Sequence, residues 1–277
     1  MRFSTSYFAG ALALLTTPFA VALPPHRHNR VSRAASNSTC VTPGAIPELQ
    51  GSEIRNIGVV LFRAFDMIDI FGTLDPLQLL ALSTQQMKLH LVAASLDPVT
   101  SEPITMNSFN SSFWPVVQPT NTFDEDLDLD VLIVPGGPGA RSTSLQAEIA
   151  YIQKMFPKVD ILMTICTGAG VAARAGVLDG HMATTNKKAW NTIKAMGPKV
   201  NWVTPARFVI DGKIWSSSGV ASALDLVFAF IETYWGSERS ETIAGIIEHV
   251  PKEAEDDSFS ERFGITPSVT RPCKTDV

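Results

Sequence analysis

Short apolar runs alternate with segments of helical periodicity from residue 56 to about residue 250. Ile57-Gly58-Val59-Val60-Leu61-Phe62 and Val131-Leu132-Ile133-Val134 are apolar throughout, and residues 161–165 form a third such run. Residues 88–94, with Leu89, Leu91 and Val92, read as a further strand. Between them, residues 73–82, 144–156 and 168–175 read as helices. A strand that is apolar at every position has no face left for water. The pattern therefore predicts a mostly parallel sheet covered by helices on both faces, an α/β three-layer sandwich. Further on, short strands are expected near Thr184, Trp202, residues 208–210 and residues 214–216, the last two joined through Asp211-Gly212 as a hairpin. Val220, Leu224, Val227, Phe228, Ile231 and Tyr234 recur at helical spacing and predict a long helix with a buried stripe.

Composition narrows the function classes. The 277 residues are 45% hydrophobic and 18% charged with a net charge of −5, which excludes general disorder. No basic surplus exists to neutralise phosphates, so no nucleic-acid partner is expected. Three cysteines are too few for a disulfide-dense scaffold, and no His/Cys/Asp grouping has metal-ligand spacing, so no metal is expected. Gly136-Gly137-Pro138-Gly139 lacks the lysine of a phosphate loop, and no cofactor is expected.

The ends differ from the body. Residues 1–22 read as a signal peptide: Arg2, an apolar stretch, then Ala20-Val21-Ala22 with small residues at the cleavage positions. Residues 23–51 read as a linker or propeptide, 52–250 as the folded domain and 251–277 as a polar tail. No later segment suits a bilayer span, since the most apolar one contains Asp225 and Glu232. A secreted protein is thus expected, with glycosylation sequons at Asn37 and Asn110 and a candidate disulfide between Cys40 and Cys273, or both cysteines unpaired.

The third cysteine carries the chemistry. Cys166 stands between an apolar strand and the Gly168-Ala169-Gly170 start of a helix. Such a strand-to-helix elbow presents a side chain at the carboxyl end of a parallel strand, where open α/β sheets place their sites. The following helix N-terminus is expected to lower the thiol pKa and favour thiolate. Cys166 is therefore a candidate nucleophile, the alternative being an inert core cysteine.

Three motifs in order carry a family resemblance: Met67-Ile68-Asp69-Ile70-Phe71-Gly72, Val134-Pro135-Gly136-Gly137-Pro138-Gly139 and Ile165-Cys166-Thr167-Gly168. Together they resemble the ThiJ/PfpI superfamily, within the class I glutamine amidotransferase-like, flavodoxin-like folds. Cys-Thr-Gly at the elbow, Asp69 and Leu178-Asp179-Gly180 before Ala183-Thr184-Thr185 are most similar to its isocyanide (isonitrile) hydratase branch. The resemblance implies Asp69 near the Cys166 sulfur as a proton donor, Thr167 beside them, and Gly72, Gly136 and Gly137 as substrate- or oxyanion-binding positions. It also implies a homodimer and a small-molecule substrate. Many relatives carry histidine after the Thr-Thr pair, where this chain has Asn186. That departure weakens a hydrolase or deglycase reading, which needs a base at the sulfur. A hydro-lyase converting an isonitrile to an N-formamide is the expected function. A redox-sensing or ligand-binding protein and a hydrolase or deglycase are the alternatives.

Overall fold

The computed structural model describes residues 39–268 and 270–272. Its centre is a seven-stranded sheet built from β1 (Asn56–Val60), β2 (Lys88–Ala93), β3 (Asn121–Thr122), β4 (Val131–Val134), β5 (Ile161–Thr164), β6 (Phe208–Asp211) and β7 (Ile214–Ser217). The order across the sheet is β6-β7-β5-β4-β1-β2-β3, parallel throughout except for the β6–β7 hairpin at the edge. β4 and β5 are buried at every residue, as their unbroken apolar sequences require. The chain leaves β1 for β2 on one side and later returns to β4 on the other. The crevice at the carboxyl ends of β1 and β4 is therefore a switch point of the kind that holds ligands in open α/β sheets.

Helices α1 (Met67–Ser83), α2 (Gln146–Met155), α3 (Gly168–Arg174), α4 (Trp190–Met196), α5 (Val220–Trp235), α6 (Ser237–Ile246) and α7 (Phe259–Arg262) flank the sheet. α1, α5 and α6 pack on one another, and α3 packs against both α2 and α4. This is the three-layer sandwich expected from the pattern. α1 starts six residues earlier than the apolar spacing suggested, because Asp66 caps it by accepting the Ile68 N–H at 3.1 Å. The earlier start places Asp69 in the first helical turn.

The described parts of both flanks are packed against the body. Within the expected linker, Thr39–Val41 pairs in parallel with Thr270–Pro272, and the Gly44 N–H donates to Asp211 Oδ1 at 2.5 Å. Within the expected tail, the Lys252 N–H donates to Asp225 Oδ1 at 3.0 Å, and Ala254 accepts the Arg207 N–H at 2.6 Å. Asp225 is buried in α5, held by the Arg207 guanidinium and by His249 Nε2 at 3.0 Å. Among the described residues, no helix is long and apolar enough to cross a membrane.

Candidate active site

Cys166 lies just past β5 with φ of +56°, the left-handed conformation that a non-glycine residue holds only when its surroundings enforce it. Enforcement comes from the next turn. A Cβ on Gly168 would lie 2.2 Å from the Val134 carbonyl oxygen, so α3 begins in direct contact with the end of β4. Thr185 Oγ1 donates to the Cys166 carbonyl at 2.8 Å and ties the elbow to the segment before α4.

The structure brings Asp69, Gly136, Gly137, Cys166 and Thr167 together. Asp69 is fully buried, and its Oδ2 accepts the Gly136 N–H at 2.8 Å while Oδ1 has no hydrogen-bond partner. Burial, reinforced by the negative charge of Asp66, raises the Asp69 carboxyl from 3.8 to about 8. The Gly136 N–H and the Cys166 thiol pull it back only in part. At neutral pH Asp69 is therefore a carboxylic acid.

The sulfur differs from the expectation of a thiolate. Burial, and secondarily the charge of Asp69, pushes the Cys166 thiol up from its ordinary range. The Thr167 N–H and the Asn186 side-chain amide hydrogen-bond the sulfur and oppose the shift without reversing it. Helix α3 has only seven residues, and its partial charge does not outweigh the loss of water. Both protons of the Cys166–Asp69 pair are thus in place at neutral pH. Cys166 is buried and retains 6% exposure.

Three further expectations are corrected by the hydrogen bonding. The Gly136 N–H is committed to Asp69, and the Gly137 N–H is committed to Thr167 Oγ1 at 2.9 Å, so neither amide is free to receive charge on a substrate. The Thr167 hydroxyl donates in turn to the Gly137 carbonyl at 3.1 Å. It clasps the two loops together and makes no bond to Asp69. The part of Thr167 aimed at the chemistry is its N–H. Gly72 lies in α1 against the side chain of Ile68, and no contact joins it to the cysteine.

Asn186 completes the site. Its Oδ1 accepts the Ala189 N–H at 3.2 Å, which leaves the amide nitrogen for the sulfur. His90, His181 and His249 are engaged by Asn121, Asp211 and Asp225, away from Cys166. His26, His28, Asn37 and Cys273 lie outside the described residues. Cys40 is disulfide-bonded, and Asn110 sits in an exposed loop.

A buried cysteine on a strained elbow, with a protonated carboxyl from the first sheet crossover beside it, defines a cysteine-elbow α/β sandwich protein. The chain belongs to the DJ-1/PfpI family, whose model matches residues 55–233. It is similar to isonitrile hydratase of Pseudomonas putida, at 27% identity over 70% of this chain and 78% of that protein. It is also similar to the HTH-type transcriptional regulator GbdR of Pseudomonas aeruginosa, at 25% identity over 74% of this chain. That alignment spans 53%, about half, of the regulator's own length. The crystal structure of a ThiJ/PfpI family protein from Pseudomonas syringae superposes with a TM-score of 0.60 at 25% identity, covering 72% of this chain and 76% of that one. These relatives correct one expectation. A secreted glycoprotein with a signal peptide finds no support among them, since they include transcriptional regulators; residues 1–22 themselves lie outside the described residues.

Proposed function

We propose that the protein hydrates an isonitrile, or a similarly slender electrophile, to an N-formamide. The observation that carries this reading is the Asp69 carboxyl, held protonated up to about pH 8 beside Cys166 with no histidine at the sulfur. An isonitrile is linear, and its terminal carbon both accepts a proton and is attacked there. Asp69 gives its proton to that carbon, which turns the substrate into a nitrilium ion. The Cys166 sulfur bonds the same carbon while the thiol proton passes to the Asp69 carboxylate, leaving a thioimidate and a restored acid. Water then adds to the thioimidate carbon as Asp69 protonates the nitrogen and takes a proton from the water. Finally the carbon–sulfur bond breaks, the hydroxyl proton returns to sulfur, and the N-formamide leaves. The Thr167 N–H and the Asn186 amide stabilise negative charge on sulfur as that bond forms and breaks.

A raised thiol pKa suits this sequence, since the acid acts first and the thiol surrenders its proton only to the carboxylate so formed. It suits a hydrolase poorly, because no base stands ready to make thiolate beforehand. Cys166→Ala is expected to abolish formamide formation from para-tolyl isonitrile, followed by the loss of isonitrile absorption. Equal rates in the wild type and Cys166→Ala would rule the reaction out. Similarity to transcriptional regulators favours a second reading, capture of a small ligand at Cys166 without turnover. Saturable binding with no formamide is its signature.

A further inference from the structure

Lys187, one residue past Asn186, is a fully enclosed ammonium. Its side chain is 1% exposed, and its Nζ donates to Thr184 Oγ1 at 2.9 Å, Ala206 O at 2.8 Å, Ser218 Oγ at 3.0 Å and Thr185 O at 3.3 Å. Its counter-ion, Asp257 at 3.5 Å, comes from the C-terminal segment and is 2% exposed at the side chain. Asp257 is itself fixed by accepting the Ala206 N–H at 3.1 Å and the Ser260 hydroxyl at 2.5 Å. The reaction outlined above makes no use of either group, and burying a charge pair of this kind is costly unless every partner is in place.

The acceptors around Nζ are the segments that frame the sulfur. Thr185 holds the Cys166 carbonyl, Asn186 holds the thiol, and Ser218 precedes Gly219, where an added Cβ would lie 3.9 Å from the Asn186 amide nitrogen. We propose that Lys187 is a positioning residue that fixes the Asn186 amide on Cys166, and that the C-terminal segment completes the site by supplying Asp257 as the counter-ion. The proposal deepens the reading above in taking Cys166 as the reacting group, and it does not depend on the substrate being an isonitrile. Burial lowers the Lys187 ammonium to about 8, with Asp257 opposing and Arg207 assisting. The charged groups facing the sulfur itself are Asp69 and Asp66.

The test separates positioning from folding. Lys187→Met with Asp257→Asn removes both charges together while keeping similar volumes, which leaves no buried charge unpaired. Cys166 alkylation by iodoacetamide is followed against pH alongside thermal melting. The expected result is a cooperative unfolding transition at a lowered melting temperature, because the Thr184, Thr185, Ala206 and Ser218 oxygens lose their donor. Alkylation is about tenfold slower at neutral pH and its whole rise with pH is displaced upward, because a displaced Asn186 no longer favours the ionised sulfur. A folded double variant that alkylates like the wild type across the pH range would overturn the proposal. Should the double variant not fold, Ser218→Ala decides. It removes one acceptor and no charge, so slowing by about threefold supports the proposal and an unchanged rate overturns it. Iodoacetamide reports on the sulfur alone. A wild type that alkylates normally yet makes no formamide counts against isonitrile hydration and leaves this test intact.

Discussion

Asp69→Asn is expected to abolish turnover and at the same time to stabilise the protein at alkaline pH. The amide oxygen still accepts the Gly136 N–H, so the geometry survives, but no acidic proton remains for the substrate. A loss of about 100- to 10,000-fold in rate follows from removing a general acid. The stability effect follows from the carboxyl being raised from 3.8 to about 8 in the folded state. Below about pH 4 folded and unfolded chains both hold the proton, and the substitution changes little. Between about 4 and 8 only the folded chain holds it, so wild-type stability falls steadily as pH rises. Above 8 the deficit is complete, on the order of 5 kcal/mol, and Asp69→Asn lacks it. Denaturant unfolding at pH 5 and pH 9 measures the gap, which widens with pH. A gap that does not change with pH contradicts a protonated Asp69. In the wild type, kcat/KM is expected to stay level below pH 8 and to fall above it.

Gly136→Ala is the second large effect. An added Cβ would stand 2.5 Å from Thr167 N, 2.6 Å from Thr167 Oγ1 and 2.8 Å from Asp69 Oδ2. Two of those three atoms belong to the residue whose N–H meets the sulfur, and the third to the acid. The methyl group therefore separates the parts of the catalytic pair. A stability loss of about 1–3 kcal/mol and a fall of about 100-fold in kcat/KM are expected. Gly176→Ala is the matched control. Gly176 has φ of +73° and nothing within 4 Å of a would-be Cβ, so alanine there strains the backbone without touching the site. It is expected to cost about 1 kcal/mol in unfolding experiments and nothing in kcat/KM. Equal activity losses in the two variants would mean that the close approach at Gly136 has no catalytic consequence.

Much of this site is legible in the sequence. The sheet was readable because β4 and β5 are apolar at every position, and only burial on both faces suits such a strand. The elbow was readable because Gly168, Ala169 and Gly170 after a strand serve close approach rather than core filling. Asp69 is legible only through a family motif; the local pattern Met-Ile-Asp-Ile-Phe is apolar on both sides of a lone acid, shows no polar helical face and conceals the helix start that Asp66 caps.

What the sequence concealed are pairings between distant segments. Lys187 sits in a polar run that reads as surface, and its counter-ion lies in a charged stretch that reads as a tail. The amides of Gly136 and Gly137 looked free because their partners, Asp69 and Thr167, reach them only through the fold. The thiol shift is hidden from the sequence for a related reason. A helix N-terminus can be read from local sequence, whereas desolvation depends on everything packed around Cys166.

The most direct test of the chemistry is intact mass spectrometry of acid-quenched enzyme during turnover of excess para-tolyl isonitrile. Addition of a thiol to an isonitrile expels nothing, so the proposed thioimidate raises the chain by the full mass of the substrate. That increment should map to Cys166 and be missing from Cys166→Ala. Formamide produced at undiminished rate by Cys166→Ala, with no adduct on the wild type, would contradict the account.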